Sequence, residues 1–492
     1  MKIRRAFYGL FFLATALFLN FVVPPFQNPD EPQHFIITMV YAQGEEHRDE
    51  VEAEVIRLMD KYNWWKHGGL VHVGELPESL SQIPVFQKHF SGKDFRAMHK
   101  NIVLYHFALG KILGFFYRGS IETAYFICRL VSILFAAGAI FLVYVSFKKI
   151  GERESVFPLA FLFILFLPQF FQTALTVSSD ALAVLLGSLF FYAVLSLMAG
   201  EMKGIFFVWL IGAAVLGFFT DRSVFVLLPL LVLLPFFIIK KEKYKESIVN
   251  VLAFLVVTLM LVGIVANLFP LHFENSLDLF EGNVHKVGKA LPGLFSFSSF
   301  EMEFFSTIMD SFFLKYGWMA FGLGILFAVF WRSLVMVSLA GIVVLLGKRG
   351  WNVLRKWPEW VTRFKKALGF KKAQRKWRRI EANTKKSFGN RLVGKLTLFF
   401  ALTVLFQVTA AWTYYGRQGI LAQGRQFFPL IIPIGFLFVV GVKRTFDVIR
   451  PGLGKVVVVG FVVVEFLVLT LVIWAQMVPF FHMIIKSPYY GI

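Results

Sequence analysis

Hydrophobic residues along this chain come in long runs separated by short polar intervals. Runs able to cross a hydrocarbon core, which takes about 20 apolar residues, fall at 6–23, 121–147, 157–175, 180–199, 204–220, 222–240, 247–268, 318–346, 394–412, 426–442 and 453–478. The pattern predicts an all-α polytopic membrane protein of about 11 transmembrane helices. Lys2, Arg4 and Arg5 precede the first run, and no small-residue cleavage site follows it, so this run is expected to stay as a helix with a cytoplasmic start. Threading the runs alternately then puts Lys148-Lys149, Lys240-Lys241, the 347–393 segment and Lys443-Arg444 inside, as the positive-inside rule requires. The segment 101–117 is apolar enough to be a twelfth span. Counting it would move Lys240-Lys241 outside, so it is expected to lie along the outer surface as an interfacial helix.

Three polar intervals stand out. The first outer interval is net acidic, and from Arg48 to Trp65 it has helical spacing, with Val51, Val55, Leu58, Met59 and Tyr62 on one stripe. Its six histidines follow no metal-binding template. A second outer loop covers 269–317, and its acidic and histidine positions are candidates for acceptor selection. The third interval, 348–395, carries seventeen Lys and Arg against Glu359 and Glu381. Trp351, Leu354, Trp360, Val361, Phe364 and Leu368 recur among them at three- and four-residue steps. Anionic lipids at this basic cytoplasmic loop are the expected partner, not nucleic acid, because the loop adjoins two spans. The organisation expected is a catalytic membrane module over 1–268 with its first outer loop at 24–120, the outer loop 269–317, and a C-terminal membrane module over 318–492 carrying the basic loop 347–393.

Composition agrees with this reading. The 492 residues are 57% apolar and 16% charged, against roughly a quarter charged in soluble domains. One cysteine, Cys128, leaves no disulfide framework and no Cys-based metal site. No phosphate-binding loop or dinucleotide fingerprint appears, which argues against a nucleotide-driven pump.

The candidate chemistry sits in Asn28-Pro29-Asp30-Glu31-Pro32-Gln33-His34-Phe35, directly after the first run. Asp30-x-x-Gln33 is a capping-box pattern, Pro32 suits a first helical turn, and Gly44 would end a helix running to Gln43. Asp30 could therefore be only a helix cap. That reading leaves unexplained Glu31 and His34, three apart on one helical face at a membrane boundary. In the functional reading one carboxylate accepts a proton from an acceptor hydroxyl while its neighbours orient it.

The acidic pair after the first span, the long first outer loop and the many following spans resemble the GT-C superfamily of membrane glycosyltransferases. More narrowly, Pro29-Asp30-Glu31-Pro32-x-His34-Phe35 is similar to the signature of an uncharacterised prokaryotic membrane-protein family related to that superfamily. Ser178-Ser179-Asp180-Ala181-Leu182, Phe312-Phe313-x-x-Tyr316-Gly317-Trp318 and Gln423-Gly424-Arg425-Gln426-Phe427-Phe428-Pro429 fit the same pattern. The family carries Asn-Pro where this chain has Ser178-Ser179, and an aromatic where it has Gln426. The resemblance implies a GT-C-like fold in the cell membrane and an inverting transfer from a polyprenyl-phosphate-linked sugar to a hydroxyl at the extracytoplasmic face. It implies Asp30, Glu31 and His34 as catalytic, with Arg425 first and Arg222 next as cations for the leaving phosphate. Asp180, Lys315 and Arg417 stand behind them. No cofactor is assigned; a divalent cation could be shared by Asp30, Glu31 and Asp180 if folding brings them together.

A secondary transporter or lipid-linked-glycan flippase with an outer acidic site is the alternative. Against it, the chain shows no internal repeat and concentrates its polar groups in one outer loop. Glu465, in the middle of the last run, and Arg332 are intramembrane ionisable residues that could pair.

Overall fold

A computed structural model describes residues 2–28, 30–62, 78, 82, 104–151, 156–238, 299–313, 315–316, 321–322, 324–354, 391–415 and 423–478. The predicted run 247–268, Arg417, and most of the 269–317 and 347–393 segments lie outside the described residues.

The protein is α-helical. Its helices are α1 (Lys2–Val22), α2 (Glu31–Gln43), α3 (Arg48–Lys61), α4 (Leu104–Phe116), α5 (Ile121–Gly151), α6 (Phe157–Leu165), α7 (Pro168–Leu175), α8 (Ser179–Met198), α9 (Gly204–Phe218), α10 (Leu227–Leu233), α11 (Pro235–Ile238), α12 (Ser299–Phe313), α13 (Gly324–Leu354), α14 (Arg391–Tyr415), α15 (Ile431–Ile449) and α16 (Leu453–Leu471). A 3-10 segment, Gly424–Leu430, leads into α15, and a π-helix, Val472–Met477, extends α16. Among the described residues β-structure is confined to Lys315–Tyr316 paired antiparallel with Phe321–Gly322.

Among the described residues six helical stretches are long and apolar enough to cross a membrane: Ile121–Gly151, Ser179–Met198, Ala328–Gly347, Leu392–Trp412, Gly424–Ile449 and Leu453–Ala475. The pair α6 and α7, bent by 55° at its break, makes a seventh if counted as one span. The break has a local cause: Pro168 has no N–H to continue the α6 ladder, and its ring excludes helical geometry at the residue before it. Leu167 is accordingly extended, with φ −65° and ψ 110°. Large apolar side chains such as Phe21, Phe115, Phe141, Val343 and Trp474 point outward. An exposed apolar belt of this kind is compatible with an α-helical membrane protein.

Two main cores hold the helices, beside a small third cluster of Ile211, Val215, Phe218, Phe219 and Phe225. The larger joins α1, the inner part of α5, α6–α10 and α12–α16. The smaller, at one end, is built from α2, α3, α4, the first turns of α5 and Val177. Its α3 buries the predicted stripe Val51, Val55, Leu58 and Met59. Helix α4 falls on the segment predicted to lie outside the span count. At 13 residues it is about 20 Å long, short of a hydrocarbon core, and it packs along α2. Gly110 and Gly114 make that packing close: a Cβ on Gly110 would stand 2.5 Å from the Thr38 carbonyl oxygen, and one on Gly114 2.5 Å from that of Ala42. Four-residue steps thus run side by side, His106–Gly110–Gly114 on α4 against His34–Thr38–Ala42 on α2.

Candidate functional site

The site begins in the turn between α1 and α2. Phe26 and Asp30 both take left-handed backbone conformations, with φ 64° and 60°. Asp tolerates this region better than most residues, and Phe does so poorly. Phe26 is held there by its N–H, which donates to the Tyr125 hydroxyl at 2.9 Å. Helix α2 starts at Glu31 with Pro32 in its first turn and ends before Gly44 at φ 113°. Asp30 occupies the N-cap position, but its side chain makes no capping hydrogen bond. It is turned to other partners.

Glu31 and Arg129, both with 0% of the side chain exposed, form a bidentate ion pair. Arg129 donates from Nε to Oε1 and from Nη2 to Oε2, each at 3.1 Å, and also to the Val23 and Pro24 carbonyls at 2.7 and 3.1 Å. Glu31 accepts in addition from the Val177 N–H at 3.0 Å and from the Asn28 amide at 3.3 Å. The ion pair therefore joins the end of α1, the start of α2, the first turns of α5 and the extended turn before α8. Both oxygens of the Glu31 carboxylate are engaged by protein donors.

Asp30 points elsewhere. Arg425, in the 3-10 segment before α15, donates from Nη2 to Asp30 Oδ2, and its Nη1 lies 3.4 Å from Asp180 Oδ2. Asp180 is in the first turn of α8, capped by Ser178, whose Oγ accepts the Asp180 N–H. Glycine brings these pieces together: Gly187 on α8 lies directly under the Pro429 carbonyl, where a side chain would not fit, and Gly424 N–H donates to Ser311 on α12 at 2.6 Å. A third acid, Asp221, accepts from Ser179 Oγ at 3.1 Å and from the Ser223 N–H at 2.7 Å. Asp30 and Asp221 both bear on Asp180 with their charge.

His34, 7% exposed, stands beside this cluster. Its Nδ1 lies 3.0 Å from His106 Nε2, and His106 Nδ1 lies 2.9 Å from Thr38 Oγ1. Burial holds the His34 imidazole below its ordinary proton affinity; Asp30 opposes that with its charge, Arg425 reinforces it, and Asp221 and Glu31 oppose it.

Among the residues expected from sequence, the structure brings together Asp30, His34, Asp180 and Arg425, with Glu31 behind them in its ion pair. The side chains of Arg222 and Lys315 lie outside the described ones, as does all of Arg417. Among the described residues no group of three His, Cys, Asp or Glu side chains is placed to hold a metal ion. Sequence reasoning missed Arg129, His106, Thr38 and Asp221. Away from the site, Glu465 is fully buried, and among the described residues neither of its carboxylate oxygens has a hydrogen-bond partner, so the pair with Arg332 is not formed.

Comparison with protein-family models, with curated proteins and with solved structures gave no significant match.

Proposed function

We propose that the protein is a membrane glycosyltransferase that moves a sugar, with inversion, from a polyprenyl-phosphate donor to an acceptor hydroxyl at the extracytoplasmic face of a cell membrane. The reading keeps the 11-span topology with a cytoplasmic N-terminus. The observation that carries it is the convergence of Asp30, Asp180 and Arg425, from three distant parts of the chain, on one partly buried point at the ends of α2 and α8.

Arg425 suits a leaving phosphate because its planar fork can meet two oxygens at once. In the substrate-free protein the fork is occupied by Asp30 and Asp180. A donor phosphate taking the guanidinium would displace Asp30 and release its carboxylate next to His34. The Asp30–His34 pair would then take the proton of the acceptor hydroxyl, while Arg425 stabilises the charge developing on the phosphate. Glu31 has a positioning role in this scheme: with Arg129 it fixes the turn that carries Asp30.

A second reading has its own support. The broken span α6–α7 and the unpartnered Glu465 are features found in secondary transporters, and a lipid-linked-glycan flippase would use the same outer acidic site. The test is sugar transfer from radiolabelled polyprenyl-phosphate sugars in reconstituted liposomes, comparing wild type with Asp30→Asn and Arg425→Gln. Transfer by wild type that collapses in both folded variants supports the enzyme. Transfer that survives both refutes this site assignment, and movement of intact glycolipid across the bilayer without transfer favours the second reading.

A further inference from the structure

Three hydrogen bonds, one within α2 and two between α2 and α4, determine where the protons of a histidine pair must lie. Thr38 Oγ1 is 2.9 Å from the His34 carbonyl oxygen. A carbonyl only accepts, so the single Thr38 hydroxyl proton is spent there. Thr38 Oγ1 must then accept its second bond, at 2.9 Å, from His106 Nδ1–H. A neutral His106 protonated on Nδ1 has its lone pair on Nε2, and it is this atom that faces His34 Nδ1 at 3.0 Å. His34 must therefore donate from Nδ1. Its remaining nitrogen, Nε2, is left without a proton, and no hydrogen bond to it is formed among the described residues. The circuit closes on itself, from the His34 ring through His106 and Thr38 back to the His34 carbonyl. It is built on the close α2–α4 seam that Gly110 and Gly114 permit.

The two ring nitrogens of an imidazole point in nearly opposite directions, so with Nδ1 turned to α4, Nε2 is turned away from it. The charged groups that act on His34 are Asp30 and Glu31 from its own helix, Asp221 from the turn after α9, and Arg425 from the 3-10 segment. Tyr105 also lies near, edge-on to His106 at 5.1 Å between ring centres. The circuit also tolerates protonation: adding a proton at Nε2 leaves Nδ1–H donating to His106 as before.

We propose that His34 Nε2 is the atom that takes the proton of the acceptor hydroxyl, and that His106 and Thr38 are positioning residues that keep this nitrogen unprotonated. The proposal rests on the transferase reading above. In the step, the acceptor O–H bond breaks and its proton moves to Nε2. The oxygen forms a bond to the anomeric carbon, and the bond from that carbon to the phosphate oxygen breaks, its electron pair leaving with the phosphate held by Arg425. Asp30 balances the imidazolium that results. The Nδ1–H tautomer is the minority form of a neutral histidine side chain in water, so the circuit imposes it.

The test uses the full-length protein, labelled with 15N-histidine, in lipid nanodiscs. Two-bond 1H–15N correlation reads the tautomer, and His34→Gln identifies the signal. The expected result is Nδ1–H with bare Nε2 for His34, and loss of that state in His106→Phe and Thr38→Val. Thr38→Ser should keep it. In the liposome assay, Thr38→Val should lower kcat at least tenfold with little change in donor KM, and Thr38→Ser should restore it. A wild-type His34 protonated on Nε2, in protein that transfers sugar, overturns the proposal and leaves the transferase reading intact. An Nδ1–H tautomer in protein that transfers no sugar from any donor refutes the transferase reading and with it the proton step, while the circuit itself stands.

Discussion

Replacing Arg129 by Met should be among the most damaging single changes in the protein, although it touches no substrate. The guanidinium is wholly buried and supplies four hydrogen bonds, two to Glu31 and one each to the Val23 and Pro24 carbonyls. Removing it leaves a buried carboxylate held by neutral donors such as the Val177 N–H and the backbone and side-chain N–H groups of Asn28. Breaking a buried ion pair from one side costs about 3–5 kcal/mol, and the two orphaned carbonyls add about 1 kcal/mol each. Glu31→Gln should cost about 3 kcal/mol by the converse route, leaving a buried cation with a neutral partner. Because both singles remove the same interaction, the double variant Glu31→Gln, Arg129→Met should be less damaged than the sum by about 2 kcal/mol or more. The assay is equilibrium unfolding in detergent micelles titrated with a denaturing detergent, followed by tryptophan fluorescence. Single changes costing under about 1 kcal/mol, or costs additive within about 0.5 kcal/mol, would refute the assignment of Glu31 to a structural pair. A Glu31→Gln protein of wild-type stability that has lost transfer would instead put Glu31 in the chemistry.

Other outcomes follow from the same geometry. His34 is held neutral by burial, so the folded state binds its proton less readily than the unfolded chain does; stability should be full above about pH 6.5, decline as pH falls below that towards the depressed folded value, and lose this slope in His34→Gln, as unfolding midpoints measured from pH 5 to 8 will show. Arg425→Lys should lower transfer about 100-fold while the protein still binds glycolipid, because an ammonium cannot reproduce the two-pronged contact; activity within threefold of wild type would remove Arg425 from the phosphate site. Gly110→Ala should cost about 1–3 kcal/mol, since the added methyl meets the Thr38 carbonyl oxygen at 2.5 Å. Gly212→Ala, with nothing within 4 Å of the new Cβ, should be neutral or stabilising by up to about 1 kcal/mol, and equal losses in the two would contradict the close α2–α4 seam.

The boundaries of α2 were legible in the sequence because local chemistry sets them: Pro32 opens the helix and Gly44, needing a positive φ, closes it. Many of the apolar runs likewise mark helices, but the run at 222–240 is broken into a 3-10 turn and two short helices, and the one at 318–346 is helical only from Gly324, after the strand Phe321–Gly322. The partners of the acidic pair were not legible. Arg129 is a lone arginine inside the apolar run at 121–147, and its isolation was the available signal; nothing local says that it reaches back to Glu31. His106 sits in a stretch judged by hydropathy alone, where the four-residue step His106–Gly110–Gly114 was the clue to a face packed against another helix. Asp180, Arg425 and Asp30 meet through the packing of α8 against the 3-10 segment, which no spacing along the chain encodes.

That packing also dictates when the site can exist during synthesis. Asp30, Asp180 and Asp221 are all made before the chain is half complete, yet their counter-charge, Arg425, follows Asp221 by about 200 residues. At roughly 5–20 residues per second, the growing protein carries three clustered carboxylates without that arginine for some tens of seconds. Until Arg425 is made, the cluster lacks the guanidinium that bridges Asp30 and Asp180, so the site is assembled only after α8 and the 3-10 segment have both been inserted.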